Sequence, residues 1–110
     1  MNKFEEDLLK DSSKLSYMNN LLLKHDFSEE FLIKTRGYYD SWKCLRTQSN
    51  LSPYFCFYWL YDREEYDSAD DWTDYTEVNS YLLDNNWTPE EIHKEFCRAI
   101  ADRKNNEDYE

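Results

Sequence analysis

The residues with the clearest chemical signature are carboxylates. From Asp62 to Glu77 the chain carries eight of them against one basic residue, Arg63, so this acidic segment contributes −8 + 1 = −7 to a formal net charge of −11. Ionised side chains are rarely buried unless they are paired. Tyr66, Trp72 and Tyr75 are interleaved with the acids. We therefore expect a strongly negative surface that also presents aromatic side chains.

On a helix, the later acids of this segment would be surface neighbours. Residues 67, 70, 71, 74 and 77 are spaced by three and four, which costs ~0.2–0.5 kcal/mol for each like-charge pair. A groove that neutralises DNA phosphates with Lys and Arg would accept such carboxylates, and Tyr and Trp would add interface anchors. The predicted partner-binding residues are Asp62, Glu64, Glu65, Asp67, Asp70, Asp71, Trp72, Asp74, Tyr75 and Glu77.

Two simpler interpretations of the acids assign them no partner. Many soluble proteins are acidic because net charge keeps them in solution. Alternatively, the acids could pair internally with basic residues of the second predicted helix, which are Lys34, Arg36, Lys43 and Arg46.

Other site chemistry has little support in the sequence. A metal site needs clustered ligands, whereas the three cysteines and two histidines are scattered, and only His93 and Cys97 would share a helix face. Each cysteine has apolar or aromatic neighbours, so we expect buried, reduced and unreactive thiols. The central glycine of an EF-hand is absent, and a single glycine, Gly37, cannot form a phosphate-binding loop. The chain is predicted to be non-enzymatic, without cofactor or metal.

Composition predicts one domain over residues 1–103 and a disordered acidic tail over 104–110. No apolar run has the ~18 residues of a membrane span, and the N-terminus lacks a signal-peptide pattern. An odd cysteine count disfavours a disulfide framework, so a cytoplasmic location is expected. The negative charge disfavours direct binding to nucleic acid or to anionic membrane. It favours a basic protein partner, such as a nucleic-acid-binding enzyme or a nuclease; a homodimer stays possible.

The fold class is predicted to be all-α. Gly37 is the only glycine, and Val, Ile and Thr together number nine, so tight hairpins and strands lack their usual residues. Ser52-Pro53 and Thr88-Pro89 are typical helix starts, Thr88 and Glu91 form a capping box, and Ser28 precedes another helix.

We predict a compact bundle of about five short helices. They span residues 13–25, 29–46, 53–66, 70–83 and 89–103, with a possible amphipathic turn near Phe4 before them. Their apolar spacing predicts these inward residues: Leu15, Met18, Leu21, Leu22, Phe31, Thr35, Tyr38, Trp42, Leu45, Trp72, Tyr75, Val78, Leu82, Ile92, Phe96, Ala99 and Ile100. Residues 34–37 also resemble a helix end. An α+β fold with an aromatic β-hairpin over residues 38–61 is therefore the alternative.

In size, acidity and aromatic content the chain resembles small phage- or mobile-element-encoded inhibitors of bacterial defence, including anti-CRISPR and anti-restriction proteins. The resemblance covers bulk properties and no motif. It implies a DNA mimic that blocks a basic nucleic-acid-binding protein. Two alternatives remain: an immunity protein or antitoxin that neutralises a basic nuclease toxin, and a helical adaptor that binds through exposed aromatic residues.

Overall fold

The structure, a computed structural model, describes residues 1–61 and 73–107, with side chains as far as residue 106. These residues contain helices and no strand, so the all-α prediction is confirmed. The alternative α+β fold is wrong, because residues 38–61 form two helical segments and no hairpin. No helix in the described ranges is both long and apolar enough to cross a bilayer.

The described residues form eight α-helices, more than the predicted five, because two predicted helices are broken and the amphipathic turn near Phe4 is a helix. The helix Pro53–Phe55 continues directly into a π-helical turn, Cys56–Leu60. The helices are α1 (Lys3–Leu9), α2 (Ser12–Leu15), α3 (Met18–Lys24), α4 (Glu29–Lys34), α5 (Ser41–Thr47), α6 (Pro53–Phe55), α7 (Tyr75–Asp84) and α8 (Pro89–Glu107).

Side-chain caps fix most of the helix starts. The predicted caps are confirmed: Ser28, Ser52 and Thr88 each accept a hydrogen bond from the backbone N–H three residues later, at 3.2–3.3 Å. Asn2 and Glu5 form a further capping box at the start of α1. Each cap satisfies a backbone N–H that the first turn leaves unpaired.

The predicted helix over residues 29–46 is interrupted between α4 and α5. The Thr35 hydroxyl donates to the carbonyl oxygen of Phe31 at 2.9 Å, and the Tyr39 hydroxyl donates to that of Leu32 at 2.6 Å. These bonds hold the chain as it leaves α4. The backbone N–H of Asp40 then donates to Asn19 Oδ1 at 3.1 Å, and α5 packs on α3. The predicted helix end at residues 34–37 is real, but a second helix follows it.

The core is apolar and largely agrees with the predicted inward faces. Tyr38 and Tyr75 are exceptions, with 46% and 38% of their surface exposed. Trp42 and Phe96 are half-buried. The predicted inward residues that are buried are Leu15, Met18, Leu22, Phe31, Thr35, Leu45, Val78, Leu82, Ile92 and Ala99.

Two buried polar side chains tie the N-terminal half together. Glu5 accepts hydrogen bonds from the backbone N–H and the hydroxyl of Ser28, at 2.7 and 2.9 Å. Gln48 accepts from the N–H of Phe27 at 2.7 Å and donates to the carbonyl oxygen of Leu22 at 3.2 Å. Because a buried polar group without a partner is costly, these bonds specify how the elements meet.

The last helix is longer than predicted. α8 continues to Glu107, so residues 104–107 are helical where the sequence suggested a disordered tail; residues 108–110 lie outside the described ranges. The side-chain amide of Asn106 donates to the Tyr58 hydroxyl, and the Tyr54 hydroxyl donates to Asp102 at 2.7 Å. The C-terminal part of α8 is therefore bound to α6 and the π-helical turn.

Candidate partner-binding surface

The predicted partner-binding residues fall into two groups. The larger group lies outside the described residues; it comprises Asp62, Glu64, Glu65, Asp67, Asp70, Asp71 and Trp72. Asp74, Tyr75 and Glu77 are described, and they stand together at the start of α7. Of the predicted like-charge pairs along a helix, only 74–77 therefore has a described geometry.

Asp74 is a helix cap. Its Oδ1 accepts a hydrogen bond from the backbone N–H of Glu77 at 2.7 Å. α7 thus begins at Tyr75, and the predicted start at residue 70 is wrong because Thr73 and Asp74 are not helical. A carboxylate at this position is stabilised by the unpaired N–H groups and the positive end of the helix dipole. Asp74 consequently fixes where α7 begins.

Glu77 is paired within the protein. Arg46 Nε donates to Glu77 Oε1 at 2.8 Å, and the Arg46 guanidinium lies 4.9 Å from the centre of the Trp42 ring. This contact joins α5 to α7 and is the internal pairing that the sequence raised as an alternative explanation. With its charge partly neutralised by Arg46, Glu77 is a weak substitute for a phosphate.

Tyr75 belongs to an aromatic cluster made of Phe57, Tyr61, Tyr75 and Phe96. Its ring stacks on Phe57, with centroids 5.7 Å apart and planes at 25°, and meets Phe96 edge-on at 5.1 Å. Tyr61 contacts both of these phenylalanines at 5.9 Å, again edge-on. Such offset and edge-to-face contacts are the favourable geometries for aromatic pairs.

This aromatic cluster holds the chain on both sides of residues 62–72, the part of the acidic segment that lies outside the described residues. Tyr61 is the last described residue before position 62, and Tyr75 follows position 72 by three residues. Arg103 Nη1 strengthens the first anchor by donating to the carbonyl oxygens of Phe57 and Tyr61, at 3.0 and 2.5 Å. Thr73, at the other end, is fully buried. Residues 62–72, which lie between these contacts, contain six carboxylates and one arginine, a formal −5.

Sequence reasoning missed Arg103 as an anchor. Its guanidinium spans from α8 to the π-helical turn, forty-two residues earlier in the chain at Tyr61. A basic residue near the end of a predicted helix is usually explained by the helix dipole. The packing of α8 on the π-helical turn is what brings Arg103 to the carbonyl oxygens of Phe57 and Tyr61.

The cysteines differ from each other in exposure. Cys44 and Cys56 are buried, and burial raises the pKa of the Cys44 thiol to about 12 and that of Cys56 well above its ordinary value. The prediction of three buried thiols is wrong for Cys97, which is exposed on α8 with its Sγ 3.7 Å from His93 Nε2. Among the described residues, no group of three or more potential ligands could hold a metal ion.

Comparisons with known proteins found nothing similar to this chain: no family model matches it. Neither a curated protein nor a solved structure matches it.

Proposed function

We propose that this protein is a small acidic inhibitor that binds a basic nucleic-acid-binding protein, with carboxylates of its acidic segment in the place of backbone phosphates. A DNA mimic of the anti-CRISPR or anti-restriction type, of phage or mobile-element origin, would act in this way. The observation that carries the proposal is the anchoring of the chain on both sides of residues 62–72, through Tyr61 and Tyr75, on one aromatic cluster.

The anchoring supports binding for an energetic reason. A partner that binds an unrestrained chain must offset the entropy of ordering it, whereas a segment whose ends are already fixed has less freedom to lose. The formal charge of −5 that residues 62–72 carry would also attract a basic groove. The stacked and edge-on contacts of the cluster fix the positions of Tyr61 and Tyr75 on either side of these acids.

We propose different roles for the ten predicted residues on the basis of the contacts of Asp74, Tyr75 and Glu77, the three that are described. Asp74 caps α7 and Glu77 pairs with Arg46, so we propose that both serve to position the acidic segment. Tyr75, with 38% of its surface exposed, stands at the edge of the segment as an aromatic contact. The phosphate-like contacts are then assigned to Asp62, Glu64, Glu65, Asp67, Asp70 and Asp71.

The test is competition with nucleic acid. Tagged wild-type protein would be used to capture partners, and each partner would then be titrated with duplex DNA and with RNA in the presence of the protein. Mutually exclusive binding is expected, because the carboxylates and the phosphates need the same basic residues. A partner that binds nucleic acid and this protein simultaneously would contradict the mimicry.

A helical adaptor is the second candidate, favoured by exposed apolar side chains in the N-terminal half. Tyr17 and Leu23 expose 63% and 73% of their surface. A contact made through such residues would be apolar and would depend little on ionic strength. Substituting Tyr17 and Leu23 with Ser would abolish it, whereas the DNA-mimic binding would be unaffected.

A further inference from the structure

A groove between α1 and α3 has a chemistry unlike that of the acidic segment. Its volume is about 530 Å³. Leu8 is buried at its base and Leu21 is half-buried, while Phe4 and Tyr17 border it with 45% and 63% of their surface exposed. The groove therefore offers apolar surface that the fold leaves uncovered.

The ionised side chains that line this groove are basic, although Asp11 lies near enough to Lys14 to interact with it. None of the residues that line it is acidic, although Asp and Glu make up 24 of the 110 residues. Lys14 and Lys24 are among its lining residues, and neither makes an ion pair with another residue in the described ranges. Three other grooves each contain carboxylates, including Glu77, Glu29 and Glu95 respectively.

The walls of the groove are held in place. The Phe4 ring lies 4.9 Å from the His25 ring and stacks on Phe27 at 6.2 Å with the planes 5° apart. α1 itself is fastened by the buried Glu5, which accepts two hydrogen bonds from Ser28. A site whose walls do not have to be ordered on binding loses less entropy.

We propose that this groove binds an amphipathic helix of a partner protein, in which apolar side chains are flanked by carboxylates. The apolar residues would pack on Phe4, Tyr17 and Leu21, and the carboxylates would pair with Lys14 and Lys24. This inference concerns a different surface from the acidic segment and the opposite charge. It deepens the helical-adaptor candidate, with which it shares Tyr17, by naming the chemistry of the partner.

Charge favours an acidic amphipathic helix in this groove over nucleic acid, an anionic membrane or a second copy of the chain. DNA, RNA and anionic membranes are polyanions, and the net charge of −11 repels them as whole objects. A second copy of the chain brings another −11. A short peptide with few carboxylates interacts mainly with charges within the screening length of ~8 Å, and the lysines that line the groove are the charges closest to it. The described residues contain no strand to extend, which favours a helix in the groove over an added strand.

The test is a selection from a displayed library of helical peptides. Apolar residues would occupy positions i, i+3, i+4 and i+7, and the flanking positions would be varied among Glu, Gln, Ser and Lys. Peptides that bind wild-type protein should be enriched in Glu at the flanks. Their affinity should fall at least tenfold for the variant Lys14→Glu/Lys24→Glu.

The matched control is Lys94→Glu/Lys104→Glu, which makes the same charge change on α8, away from this groove. Its affinity for the peptides should stay within about threefold of wild type, and circular dichroism should confirm that both variants are folded. The proposal would be overturned if no peptide were selected or if the flanks of the selected peptides were enriched in Lys. It would also be overturned if both variants lost affinity for the peptides equally. Binding of wild-type protein to phosphatidylserine vesicles that Lys14→Glu/Lys24→Glu abolishes would overturn it too, because it would assign the groove to a membrane surface.

Discussion

Arg46 and Glu77 form an ion pair between α5 and α7, with 2.8 Å between Nε and Oε1. This pair shows that the acids of the acidic segment are not all alike, because some of them have a partner within the fold. Glu77 is satisfied by the fold, and so is Asp74 as a helix cap. The acids available to a partner are therefore expected among those between the two anchors of the aromatic cluster.

Breaking this ion pair should affect stability slightly and partner binding even less. Glu77→Gln and Arg46→Gln should each lower the free energy of unfolding, with a coupling of ~0.2–1 kcal/mol, because both side chains are partly exposed to water. A double-mutant cycle in urea measures this coupling. If Glu77→Gln instead weakens partner binding by tenfold or more, Glu77 belongs to the interface itself.

The cap at Thr88 should be worth a measurable part of the stability. Thr88 Oγ1 accepts from the N–H of Glu91 at 3.2 Å, and Glu91 Oε1 accepts from the N–H of Thr88 at 3.0 Å. Thr88→Ala should cost ~0.5–2 kcal/mol in a urea titration, whereas Thr88→Ser should cost less because the hydroxyl is kept. An unchanged midpoint for Thr88→Ala would contradict the capping role.

The same capping box predicts a pH dependence. The hydrogen bond from the Thr88 backbone N–H holds the pKa of Glu91 below its ordinary value of 4.5. A carboxylate whose pKa is lowered by folding stabilises the fold at pH values above its ordinary pKa. This contribution is lost as the pH falls through the lower pKa of the folded state. The stability difference between wild type and Glu91→Gln should therefore be largest above pH 4.5 and shrink below it. A difference that is constant with pH would refute the ionised capping box.

The three thiols should react at very different rates. Cys44 and Cys56 are buried with raised pKa values, whereas Cys97 is exposed. A thiol-specific disulfide reagent should label one cysteine rapidly in the native protein and all three after unfolding. Cys97→Ser should remove the rapid phase. Rapid labelling of two or three thiols in native protein would show that α5 or the π-helical turn opens readily.

The helix starts could be predicted from the sequence because their signals are local. Ser28, Ser52 and Thr88 act within three residues of themselves, so their roles are visible in the sequence alone. The true start of α7 had such a signal, since Asp74 precedes Glu77 by three residues. This signal is ambiguous in the sequence because Asp70 and Asp71 also fit the first turn of a longer helix.

The interruption between α4 and α5 could not be decided from the sequence. The apolar residues of 29–46 keep a helical spacing across the break, while the signals for a helix end occupy only residues 34–37. Long-range hydrogen bonds decide between one continuous helix and two helices. One of these hydrogen bonds joins the backbone N–H of Asp40 to Asn19, 21 positions earlier in the chain. The anchoring of Tyr61 by Arg103 is likewise a long-range contact that no local pattern encodes.

The central claim concerns the acids between the anchors, so the most direct measurement is the rate of association with a captured basic partner. Asp70→Asn/Asp71→Asn/Asp74→Asn should retain the cap of α7, because Asn caps helices about as well as Asp. The control Glu6→Gln/Asp7→Asn/Glu90→Gln makes the same charge change on α1 and α8.

Charge mimicry predicts that the first variant associates at least tenfold more slowly than wild type and that the control stays within about threefold. It also predicts that wild-type association slows steeply as salt increases, because the contacts are screened within ~8 Å at physiological ionic strength. Equal rates for the two variants, or a wild-type rate indifferent to salt, would contradict the claim that the acidic segment stands in for phosphates.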